Sequence, residues 1–254
     1  MPVAVKQGVT KLVPESSKLP PKPLATLAHM HALFDGLDMS NAFDAAVWGI
    51  ASVAFWSCCR LGELVVPTAS KFDPQFHATR GTGVRFGHSS NGTQTMSFRI
   101  RWSETSGFRG AKIIGVDNDE ITSSVLALQH HLRANSSIPA HVPLFAYETT
   151  EGTWAHMTCD IFLRRCNSVW RSLGFDELSG HCFCVGGTTE YVLHGTAPEM
   201  VQALGRWCSQ AFMDYWWKID SILPTFLSGS VLSSRHKLLR SSTEKFRRKH
   251  GLSR

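Results

Sequence analysis

The sequence predicts an α+β domain, mostly helical, with a small three-stranded antiparallel sheet, and three observations lead there. Between residues 83 and 116 the apolar period shortens to two. On both sides of that stretch the period is helical, and nowhere does strand alternate with helix in the way a parallel nucleotide-binding sheet requires. The 254 residues are 43% hydrophobic and 18% charged, which is ordinary for a globular chain. A chain this long buries on the order of 70% of its unfolded surface, so a real core is expected.

Taken in order, residues 1–23 carry Pro2, Pro14, Pro20, Pro21 and Pro23, a density that sustains neither a helix nor a central strand, and they are expected to form a linker or tether. Leu24, Leu27, Met30 and Leu33 recur at three-residue steps and predict a short helix stopped by Gly36. Asn41 or Asp44 can cap a longer helix with Val47, Ile50, Ala51, Ala54 and Phe55 on one face, closing at Arg60, Glu63 and Leu64 ahead of Pro67. Met96, Phe98, Ile100 and Trp102 alternate with Ser97, Arg99 and Arg101, a half-buried strand between an Asn91-Gly92 turn and a loose turn at Gly107 and Gly110. Residues 111–116 return as the next strand. Helices follow at 121–134, at 158–173 with Gly174 as stop, and at 187–194. Thr196 and Glu199 have the spacing of a capping box for a helix over 198–204 ending at Gly205, and Ser209 caps a last helix through Trp217.

Composition excludes several classes. The net charge is +6, yet the last twenty residues hold eight basic side chains and one acid, which leaves the rest near −1. The basicity is a tail, in which Lys245, Arg247, Arg248 and Lys249 suit phosphates, a nuclear import receptor or plain solvation. The longest uncharged run, Ala45 to Cys59, is shorter than the roughly twenty residues of a membrane-spanning helix, so no membrane partner is expected. Met1 to Leu12 has no apolar stretch followed by small residues, and no secretory signal is read there. Seven cysteines, with Cys58 and Cys59 adjacent, argue for reduced intracellular thiols rather than a disulfide framework. No internal repeat, phosphate loop or zinc-protease motif occurs.

Chemistry-bearing residues are few. Arg60 stands at the end of a very apolar segment, where its guanidinium needs an anionic partner: Glu63, one turn away, or a phosphate. His181 opens a helical segment, as a packed residue or as one reaching a polar reactant. Tyr215, in Asp214-Tyr215-Trp216-Trp217, reads locally as an aromatic anchor. His181, Cys182, Cys184 and Cys208 invite a zinc reading, but adjacent ligands and a single intervening residue do not match structural zinc spacings, so no metal and no cofactor are expected.

Arg60-Leu61-Gly62-Glu63-Leu64, then Gly180-His181-Cys182-Phe183-Cys184, then Leu204-Gly205-Arg206-Trp207 with Tyr215 nine residues past Arg206, form an ordered series. Over about residues 24–220 this series resembles the catalytic domain of tyrosine recombinases, the phage-integrase-like DNA breaking and rejoining enzymes, and within them the recombinase-derived sequences of fungal genomes. The resemblance implies an integrase-like fold, double-stranded DNA as partner, and strand exchange through a 3′-phosphotyrosyl link. In that chemistry two arginines clamp the phosphate, a histidine manages the phenol proton and a hairpin lysine protonates the leaving oxygen. It assigns the first arginine to Arg60, the histidine to His181 and the nucleophile to Tyr215. The second arginine falls on Cys184 and the hairpin lysine on Glu104, so both are lost. Arg206 stands where many members carry a histidine, and it and Lys112 are the candidates to replace the missing groups. Arg99, Arg101, Arg109 and the tail would add nonspecific phosphate contacts.

The expected organisation is therefore a tether at 1–23, a recombinase-like domain at 24–220 and a basic tail at 221–254. Family members grip DNA with a preceding helical arm, for which the proline-rich start leaves no sequence, and weak DNA binding is expected. Intracellular, nuclear DNA binding with crippled strand exchange is the leading expectation, with self-association on DNA by analogy. The alternatives are a non-catalytic DNA- or protein-binding module derived from a mobile element, and an unrelated interaction domain whose Arg60 is merely ion-paired.

Overall fold

A computed structural model describes residues 24–103, 106–117 and 121–207. The centre of the fold is α2 (Ala42–Trp56), in which every residue from Asp44 onward is buried. Its alanines and single glycine keep the cylinder thin, so neighbours pack against it on all sides. Asn41 caps it, its side-chain oxygen accepting the N–H groups of Phe43 at 2.8 Å and Asp44 at 3.3 Å. Asp44, the other candidate cap, has a different task. Its carboxylate accepts two bonds from the Arg165 guanidinium, at 2.8 and 2.7 Å, and one from the Asp38 N–H at 2.9 Å. That paired, nearly buried carboxylate ties α2 to α4 (Cys159–Ser172) and to the end of α1 (Leu27–Gly36).

Against α2 pack α3 (Ser124–Ala134) and α5 (His181–Leu193). The α5 contact needs its glycines, because a Cβ on Gly187 would stand 1.8 Å from the Phe55 carbonyl oxygen and one on Gly186 2.0 Å from that of Ala25. Tyr191 of α5 donates its hydroxyl to the Trp56 carbonyl at 2.8 Å, and Trp56 donates its indole N–H to Thr122 at 3.0 Å. The last described helix is α6 (Pro198–Gly205).

The sheet has the order β1 (Arg85–His88), β2 (Gln94–Ile100), β3 (Ala111–Val116), all antiparallel. Met96, Phe98, Ile100 and Ile113 are buried, and the sheet packs on α3 through β2 and β3. The opposite face is basic. Arg99 pairs across the ladder with Lys112 and Arg85 with Ser97, so Arg85, Arg99 and Lys112 share one exposed surface. A second ribbon joins β4 (Tyr147–Glu148) to β5 (Trp154–Ala155). Among the described residues no helix is long and apolar enough to cross a membrane.

The α+β architecture and the three-stranded sheet agree with the sequence reading, and four local expectations do not. First, α2 ends at Trp56 rather than near Leu64. Cys58 takes a left-handed conformation (φ 48°), breaking the helix so that Arg60 starts a separate single turn, Leu61–Glu63. Second, β2 stops at Ile100, and Trp102 leaves the alternation to lie 36% exposed against Phe76. Third, α5 begins at His181, six residues before the expected start, and Gly186 and Gly187 lie within it, where they serve close packing. Fourth, α6 opens on Ala197 with no side-chain cap, so Thr196 and Glu199 do not form the capping box. The expected helix over 209–217 lies outside the described residues.

Candidate functional site

Two polypeptide turns, distant in sequence, meet at one carboxylate. The Leu61–Glu63 turn aims the Glu63 side chain back along the chain, where it accepts the Arg60 backbone N–H at 3.1 Å. The same oxygen accepts the Arg206 guanidinium at 2.6 Å, with Arg206 only 14% and Glu63 only 7% exposed in their side chains. Glu63, the expected partner of Arg60, therefore also binds the side chain of Arg206, 143 residues beyond it.

Arg206 reaches that position because the chain reverses after α6. It adopts a left-handed conformation (φ 58°), its N–H accepted by the Ala203 carbonyl at 3.2 Å, and its Nη1 donates to the Leu204 carbonyl at 2.9 Å. Gly205 permits the reversal, since a Cβ there would stand 2.1 Å from the buried Trp207 ring. Among the described residues, Cys58 and Arg206 are the non-glycine positions with positive φ, and both flank this site.

Four thiols crowd the interior side. Cys59, Cys182 and Cys184 are buried with Cys58, and no disulfide joins them. Burial pushes the Cys59 and Cys184 thiols up to about 12, against the opposing pull of Arg206 on the first and Arg60 on the second. Burial raises Cys58 further still. All three are protonated at neutral pH and behave as small apolar packing. Burial alone would lower the Arg206 pKa, but Cys59 and Glu63 hold the guanidinium above its ordinary value.

His181, exposed at the start of α5, has its Nδ1 3.5 Å from the Cys184 sulfur. Glu63 thus joins Arg206 to the Arg60 backbone, and Cys184, within reach of the charges of Arg60 and Glu63, stands beside His181. Among the described residues no group of three or more His, Cys, Asp and Glu is arranged to hold a metal ion; Cys208, the remaining member of the zinc reading, lies outside them.

Two cavities open at this cluster. One, of about 610 Å³, is walled by Arg60, Glu63, Lys71, Phe72, Phe76 and Trp102, among others. The second, of about 470 Å³, has Lys112 on one wall and Arg206 with Trp207 on the other. The Arg206–Glu63 pair thus stands between them. Lys112 is therefore a neighbour of Arg206 across open space, which the resemblance alone does not give. Arg99 and Arg101 are exposed beside Lys112, and Arg99 donates to the Arg109 carbonyl at 3.1 Å. Arg85 on the same face was not singled out in the sequence, because its strand is short and exposed throughout. Tyr215, Glu104, Lys245, Arg247, Arg248 and Lys249 lie outside the described residues.

No family model and no curated protein matches the sequence. Among solved structures, the chain is similar to XerA recombinase, with 16% identity, a TM-score of 0.49, and 97% of this chain and 72% of that one covered. It is also similar to Flpe in a Holliday junction complex, with 10% identity, a TM-score of 0.49, and 83% of this chain and 49% of that one covered. A FLP recombinase–Holliday junction complex gives 9% identity, a TM-score of 0.46, and 82% and 48% coverage. The chain spans about half the length of these two Flp chains.

Proposed function

We propose that this chain is a DNA-binding, tyrosine-recombinase-like domain whose strand-exchange chemistry is degenerate. The observation that carries the proposal is that Glu63 binds both the Arg206 guanidinium and the Arg60 N–H, while Cys184, under the charges of Arg60 and Glu63, lies beside His181, these residues coming from three separate motifs. Residues from three separate stretches of the chain thus lie close together, as a site for one backbone phosphate requires.

Glu63 also argues for the degeneracy. A phosphate clamp needs two cations facing an anion, yet here the carboxylate neutralises Arg206 from within. Cys184, protonated and apolar, supplies no positive charge. With the hairpin lysine replaced by Glu104, the missing clamp and proton donor together cost about 10⁴–10⁷ in rate if their effects are independent. Lys112 and Arg206, facing one cavity, are the groups through which residual chemistry at Tyr215 would pass. The specific alternative favoured by the Glu63 pair is a module that keeps the fold and binds DNA without any covalent step. We extend the proposal to a nuclear protein derived from a mobile element of fungal type that self-associates on DNA, with the basic face of the sheet and the tail contacting phosphates.

The test is a nicked suicide duplex incubated with the full chain. Salt-sensitive retention of the duplex is expected, with covalent protein–DNA product at trace level or absent, and any product lost in Tyr215→Phe. No retention even at low salt would refute the DNA reading; abundant covalent product would refute the degeneracy.

A further inference from the structure

Beside Arg60 the protein exposes aromatic rings that a soluble surface ordinarily hides. Phe76, Trp102 and Phe108 are 39%, 36% and 69% exposed, and they form one cluster, with Phe76 centred 6.2 Å from Trp102 and 5.1 Å from Phe108. Phe76 and Trp102 stand on the wall of the 610 Å³ cavity, whose size lies in the range of sites that bury a small molecule. Phe72, whose ring packs on His77 and His156, adds a further aromatic wall.

Cations surround the rings. Arg60 and Lys71 share the cavity wall, and each tip aromatic is followed or preceded by an exposed arginine, Arg101 before Trp102 and Arg109 after Phe108. The acids of the same wall are already engaged. Glu63 holds Arg206, and Asp73 accepts the Gln75 N–H at 2.7 Å. Flat apolar faces interleaved with cations are the requirements for stacking an unpaired base while holding its backbone. A peptide would need backbone partners or an apolar groove without this positive border.

We propose that this cavity receives an unstacked nucleobase, stacked against the Phe76–Trp102 ring pair, from a strand whose phosphate lies beside Arg60, so that the preferred substrate is duplex DNA with an unpaired nucleotide. The inference rests on the DNA-binding reading above and names its substrate class. Binding such DNA avoids part of the unstacking cost that a fully paired duplex imposes.

The experiment compares, at fixed salt, the affinity of the full chain for a 30-base-pair duplex and for the same duplex carrying one bulged 2-aminopurine nucleotide. The bulged duplex should bind at least about fivefold tighter, and the bulge fluorescence should quench on binding as the base stacks on a ring. Phe76→Ala and Trp102→Ala should each remove most of the preference while leaving paired-duplex affinity in place, and Phe76→Tyr should retain it. Equal affinity for the two duplexes with no quenching, which needs no variant to establish, would overturn the inference and leave the patch to a protein partner. A preference unaffected by either alanine would also overturn it. Failure to bind either duplex would instead overturn the DNA-binding reading, so the two failures are told apart.

Discussion

Glu63→Ala is expected to lower the free energy of unfolding by about 3–5 kcal/mol, because it leaves a nearly buried Arg206 guanidinium and the Arg60 N–H without their shared acceptor. Denaturant titration measures it. The size follows from burial: exposed ion pairs contribute about 0–1 kcal/mol, and a loss in that range would show that Arg206 finds water rather than Glu63. Replacing both partners together, Glu63→Leu with Arg206→Leu, should recover most of the loss, since two apolar side chains remove the stranded charge. Recovery would also mark the pair as retained for something other than stability, which is the role the phosphate reading gives it.

The second large effect is acid lability centred on His131. Its ring is fully buried, with Nε2–H donating to the Leu144 carbonyl at 3.0 Å and Nδ1 accepting from the Asn135 amide at 3.2 Å, an arrangement that fixes the neutral form. Burial first, then the neighbouring charges of Arg80 and His130, lower its pKa to about 3. In the unfolded chain the ring titrates near its ordinary value of 6.5. Below that value the unfolded state binds a proton the folded state refuses, so stability is fully present above pH 6.5 and falls steadily as the pH drops toward 3. The loss from this one ring should be about 3 kcal/mol between pH 7 and pH 4. His131→Gln should start less stable at pH 7 and show a correspondingly shallower pH dependence over that window. An unchanged slope would mean that the ring is protonated in the fold. Arg80, whose Nη1 lies 3.4 Å from His131 Nε2, also caps α3 by donating to the Leu132 carbonyl at 3.2 Å and to that of Asn135.

Much of this was legible because it is local. Asn41, one of the two candidate caps, caps α2 through the hydrogen bonds its residue type promises, and residues 111–116 return beside β2 as the next strand. What escaped was set by distant contacts. The sequence started the helix only at residue 187, and the close approach of Phe55 and Ala25 to Gly187 and Gly186 shows why those glycines lie inside it. Trp102 continues the strand's alternation on paper but turns out toward Phe76, which lies 26 positions earlier in an irregular segment. Nothing in Arg60-Leu61-Gly62-Glu63 announces that the carboxylate belongs to Arg206. The motifs did not show how charge is divided among their residues: Arg206 is paired with Glu63, and Cys184 sits protonated beside His181.

If Arg60 faces a DNA backbone phosphate, the salt dependence of duplex binding must register it. With the full chain and one duplex, Arg60→Gln should weaken binding across the salt series and reduce the slope of log affinity against log salt by about one unit, the signature of one lost phosphate contact. An affinity and slope equal to those of the unaltered chain, with the variant folded, would mean that the Arg60 guanidinium meets no phosphate.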